Sequence, residues 1–97
     1  MTSGIEDLTI NWEDEQGKLT TKELAKEVIS KGGGWVTIMF LYQDLEAASG
    51  EYGPSKVRVQ RYQKRGDKYI VQSKFNISSE KQAQQIIRTL SEWFPEQ

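Results

Sequence analysis

The chain has 97 residues, 36% hydrophobic, with three Trp, four Tyr and three Phe. That is enough for one domain burying roughly 65% of its unfolded surface without covalent staples. It contains no Cys and no His, which excludes disulfides, thiolate and zinc sites, and imidazole-based acid–base or nucleophile chemistry. Any metal is restricted to a hard, oxygen-ligated ion.

Residues 1–7 read as a flexible terminus, and residues 8–95 as a single α+β domain. The terminus is acidic and polar, unlike a signal peptide, and no apolar run approaches the ~18–20 residues that span a membrane. The expected location is the cytoplasm, without a membrane partner. Leu8, Ile10 and Trp12 alternate with Thr9 and Asn11, the pattern of a short strand or extended arm with one face inward. Residues 13–17 follow as a turn.

Thr20 with Glu23 has the spacing of a capping box, flanked by Leu19 and Leu24 as a hydrophobic staple. Leu24, Ala25, Val28 and Ile29 then share one face at helical period, and Gly32 stands where a helix stops. This predicts a first helix. Residues 35–42 are apolar on both alternating faces and predict a strand covered on both sides. The cover has three possible sources: a helix, the N-terminal arm or a second subunit.

Gly50, Gly53 and Pro54 mark a loop. A strand over about 55–63, a tight turn at Arg65-Gly66-Asp67 and a strand over about 68–77 then complete a three-stranded antiparallel meander. Ser79 with Gln82 caps a final helix reaching about Phe94, with Ala83, Ile86, Ile87, Leu90, Trp93 and Phe94 on one face. The predicted fold is therefore α+β: a meander with one helix before and one after, the terminal helix packed on the sheet.

Several motifs lack the rest of their chemistry. Residues 12–23 resemble half of an EF-hand loop, but its first ligand position holds Trp12, Gln16 is neutral and no second hand exists. Gly32-Gly33-Gly34 lacks the Gly-Lys-Ser/Thr of a phosphate loop. Gly50-Glu51-Tyr52-Gly53 joins strands and carries an acid, unlike a backbone-clamping GxxG loop. Glu13 with Asp14, and Asp44 with Glu46, fall on solvated loops or strand ends, without the burial an acid–base dyad needs. No catalytic constellation, metal site or cofactor is expected.

The charge is unevenly distributed. Residues 1–53 carry ten acids and four bases, whereas residues 54–97 carry nine bases and four acids. Seven of those bases lie between Lys56 and Lys74, with Asp67 the sole acid and Tyr62 and Tyr69 interspersed. Strand alternation puts Lys56, Arg58, Gln60, Tyr62 and Lys64 on one face, opposite Val57 and Val59. Lys68, Ile70, Gln72 and Lys74 alternate likewise on the next strand, and Arg61 falls on the other side. Cations with accessible rings are what single strands need, since phosphates are neutralised and bases stack. Lys56, Arg58, Tyr62, Lys64, Arg65, Lys68 and Lys74 are thus candidate nucleic-acid-binding residues. The alternative is an ordinary solvated sheet face on a protein-interaction module or homodimer.

Residues 56–90 resemble the transcriptional-positive-coactivator family of single-stranded-DNA-binding domains. Val57-Arg58-Val59-Gln60-Arg61-Tyr62 is similar to that family's basic-aromatic strand, and Asn76-Ile77-Ser78-Ser79-Glu80-Lys81-Gln82 to its strand-to-helix junction. Val71-Gln72-Ser73-Lys74-Phe75 stands where the family has a Gly-rich Lys-Pro-Gly stretch. The resemblance implies a non-enzymatic single-stranded-DNA-binding function and a dimer formed through the terminal helix.

Overall fold

Five antiparallel strands follow one another as a meander in one curled sheet, with a single helix after the last. The computed structural model describes residues 4–96. A 3-10 turn at Ile5–Asp7 leads by an extended arm to β1 (Trp12–Glu13), β2 (Leu19–Gly32), β3 (Trp35–Asp44), β4 (Lys56–Arg65), β5 (Lys68–Ile77) and helix α1 (Glu80–Trp93). No described helix is long and apolar enough to cross a membrane.

The predicted first helix is a strand, and the reason is legible in the register. β2 pairs with β3 along nearly its whole length, with irregularities between Glu23 and Ala25 and between Val28 and Ser30. Each places one extra residue, Leu24 or Ile29, in the strand and resets its alternation. Two resets five residues apart turn a period of two into apolar positions 24, 25, 28 and 29, which mimic a helical stripe. Thr20 and Glu23 lie within the strand and form no capping box. The backbone N–H of Glu23 instead donates to Asn11 Oδ1 at 2.7 Å.

The glycines are turn residues. Gly33 and Gly34 both have positive φ, 60° and 82°, the requirement of a two-residue type I′ hairpin. They connect β2 to β3 rather than ending a helix. At the next hairpin only Gly66 has positive φ, 63°, as a II′ turn demands at its first central position.

The core lies on one face of the sheet. Val36, Ile38, Phe40 and Tyr42 of β3 are buried together with Tyr62 of β4 and Ile10 of the arm, and Ile5, Leu8 and Tyr69 pack around them. The arm is the lid of this inner face, so residues 4–7, read as part of a flexible end, are structural. Residues 1–3 of that reading lie outside the described residues. Lys26 holds the lid down: its Nζ donates to the carbonyls of Ile5, Glu6 and Leu8 at 3.2, 2.9 and 2.6 Å. Glu23 adds a second fastening by accepting from Thr9 Oγ1 at 2.6 Å and from the Ile10 N–H at 3.4 Å.

The opposite face is open. Met39, Leu41, Ile70 and Phe75 are exposed there, so β3 is covered on one side only among the described residues. The terminal helix does not cover it either, contrary to the expected packing. In its first turn, Glu80 and Ala83 line a small cavity together with Leu41, Val57 and Ile77, after which the helix extends away. Ile87, Leu90, Trp93 and Phe94 are exposed, Trp93 at 69% and Phe94 at 75%. The N-terminal end of the helix is capped: Ser79 Oγ accepts from the Gln82 N–H at 3.1 Å, and Gln82 Oε1 accepts from the Ser78 N–H at 2.9 Å.

Candidate nucleic-acid interface

The hairpin of β4 and β5 brings the bases together, but not all on one face. Cross-strand pairing of Ile38 with Gln60 and Val36 with Tyr62 puts the Lys56, Arg58, Gln60, Tyr62 and Lys64 row on the inner face. Sequence alternation grouped these residues correctly and assigned their side wrongly. Val57 and Val59 lie on the open face, half-buried.

The irregularity between Arg61 and Tyr62 leaves Gln72 as the extra residue of β5. It splits the row expected on that strand. Lys74 pairs with Gln60 and joins the inner face, whereas Lys68 pairs with Arg65 and Ile70 with Gln63 on the open side. The structure thus groups Lys56, Arg58, Lys64 and Lys74 on the inner face, and Arg61, Arg65 and Lys68 on the other.

Tyr62 is not an accessible stacking ring. It is 3% exposed, under the arm, and its hydroxyl accepts from Gln60 Nε2. Burial pushes the phenol upward in pKa; nearby Glu23 adds to this, while the Gln60 bond and Arg58 oppose it. The rings within reach of solvent are others. Trp12, expected to point inward with Leu8 and Ile10, is 71% exposed on β1. Trp35 lies beneath the guanidinium of Arg61, 4.1 Å from its centroid, and Tyr69 lies 5.9 Å from Lys64 Nζ. The signal for Trp12 was its place at the edge of an acidic turn, where a single inward-facing row could not be assumed.

The cations are largely unspent. Lys56 pairs with Asp44 at 3.1 Å, the one ion pair among the described residues. Arg58 lies over the Tyr42 ring at 4.9 Å and its Nε donates to Asn76 Oδ1 at 2.9 Å, leaving its terminal nitrogens free of protein partners among the described residues. Arg65 donates from Nε and one terminal nitrogen to Gln63 Oε1 at 3.0 and 2.8 Å. These contacts are neutral, so they orient the guanidinium groups without cancelling their charge.

The acidic turn before β2 holds no ion-binding set. Asp14 Oδ1 accepts from the N–H groups of Gln16 and Lys18, both at 2.9 Å, an Asx turn closing the β1–β2 hairpin. No group of three acidic side chains converges as a metal site among the described residues. No family model, curated protein or solved structure matches this chain.

Proposed function

We propose that the chain is a small non-enzymatic binding module that takes single-stranded nucleic acid along the basic β4–β5 hairpin. One observation supports this above the others: of the seven bases from Lys56 to Lys74, six have no carboxylate within 4.0 Å among the described residues. Cations left unpaired beside half-exposed rings can neutralise phosphates and support bases without a recognition helix. Because the bases occupy both faces, the strand would follow the free edge of β5 and the hairpin tip, where the two sets approach each other.

The test is fluorescence anisotropy of a labelled oligothymidine titrated with protein from ~50 mM to ~300 mM salt. Three to five phosphate contacts give a slope of log K against log salt of roughly −2 to −3.5. Absence of binding at ~50 mM salt, where electrostatic affinity is greatest, refutes the proposal.

A second reading, compatible with the first, is a homodimeric module, favoured by the open apolar face. The accessible surface is 7346 Å², against about 5,700 Å² for a compact monomer of 11.2 kDa. The radius of gyration is 15.4 Å, against about 12.5 Å for a compact chain of this length. Burying that excess of roughly 1,600 Å² on each of two copies gives an interface in the range of obligate homodimers. Sedimentation velocity distinguishes a particle of 11.2 kDa from one of twice that mass.

A further inference from the structure

Beyond the hairpin's charge, one cleft has the parts needed to hold a single base. It opens between the arm and the sheet, has a volume of about 320 Å³, and is lined among others by Asn11, Trp12, Arg58, Gln60, Tyr62 and Val71. Such a volume lies at the small end of ligand sites and accommodates one planar ring rather than a duplex.

Its walls are chemically distinct. Trp12 contributes a largely exposed indole, and its backbone is fixed, because it pairs with Thr21 and its carbonyl accepts from Thr20 Oγ1 at 3.2 Å. Arg58 is held by Tyr42 and Asn76, so its terminal N–H groups are presented from a rigid stem. Asn11 uses its Oδ1 on the Glu23 N–H, leaving its amide N–H₂ available as a donor. The floor is half polar, formed by the bonded pair Gln60 and Tyr62. Glu23, the nearby carboxylate that acts on Tyr62, is already engaged by Thr9 and Ile10.

We infer that this cleft is a nucleobase site: a base of a single strand stacks on Trp12 while Arg58 binds the adjoining phosphate. The inference rests on the single-strand reading above and names where along the chain a base is held. A planar ring against indole gives affinity without sequence choice, because every base has a π-face. The guanidinium fork supplies the phosphate contact that a stacked ring lacks.

The probes are (dT)12 and dTMP at ~50 mM salt. In a Trp35→Phe/Trp93→Phe chain, where Trp12 is the sole indole, (dT)12 quenches the emission. Independently, Trp12→Ala in the otherwise unchanged chain weakens (dT)12 binding about 5- to 140-fold, the range of one base–aromatic stack. Arg58→Gln lowers the salt slope by about 0.7, the share of one phosphate. Binding of (dT)12 without quenching and unaffected by Trp12→Ala overturns the cleft while leaving the hairpin reading standing. Equal affinity for dTMP and (dT)12 overturns the strand assignment in favour of a free-nucleotide site. No binding of either probe removes both readings.

Discussion

Replacing Lys26 with Met tests whether the N-terminal arm is a fastened lid. The substitution keeps an apolar stem of similar length and removes an ammonium that donates to three carbonyls. A hydrogen bond with one charged partner contributes about 1.5–3 kcal/mol in isolation. The three share one half-exposed ammonium, so a combined loss of about 2–4 kcal/mol is the working figure. Full release of the arm would also uncover Ile10 and the partly buried Ile5 and Leu8, adding about half the ~1.5–3 kcal/mol that complete burial of each side chain contributes. For a domain of this size, each kcal/mol lowers Tm by about 4–8 °C. The expected result is a Tm lowered by at least ~8 °C, with proteolysis at residues 4–11 appearing before global unfolding. A loss under ~0.5 kcal/mol with unchanged proteolysis would falsify the lid, while Trp12 would keep its own pairing with Thr21.

Three further outcomes follow from named contacts. Leu90→Asp places a charge on the unpartnered helix stripe; losing half of one leucine's burial on each of two copies already weakens a dimer about 30-fold, seen as a shift toward 11.2 kDa in sedimentation, and an unchanged dimer excludes the helix from its interface. Tyr62→Phe removes the hydroxyl that accepts from the buried Gln60 Nε2, which costs about 1–3 kcal/mol at neutral pH, and it also removes a pH-dependent contribution in alkali. The folded-state pKa is raised above 10.0, so the native chain holds its proton longer than the unfolded one; this stabilisation is present below pH ~10 and lost as pH rises through the folded value. The difference in urea stability between wild type and Tyr62→Phe therefore shrinks steadily above pH ~10, and a flat difference refutes burial of the phenol. Ser79→Ala removes the acceptor for the Gln82 N–H and costs the helix about 1 kcal/mol, read as reduced ellipticity at 222 nm; unchanged helicity would mean that the Gln82–Ser78 contact alone holds the first turn.

Local signals determined what local physics decides. The terminal helix starts where Ser79 and Gln82 cap it and runs at the period its apolar residues set, because a cap and its stripe lie within one short segment. Both strands of the basic hairpin and its glycine turn were legible for the same reason, and so was the grouping of Lys56, Arg58 and Lys64 on one face. The inventory without His or Cys limits the chemistry whatever the fold.

What the chain alone left open was every choice between two sides. Residues 19–32 have good helix formers and a helical-looking stripe, yet pairing with β3 wins and two bulges account for the period. Alternation told which hairpin residues travel together but not which side the arm would cover, since that depends on where Ile10 and Leu8 dock after the sheet has curled. That docking buries Tyr62, whereas Trp12 stays exposed on the edge strand β1. Side assignment is a property of contacts between segments distant in sequence, and a strand's period of two is identical on either face.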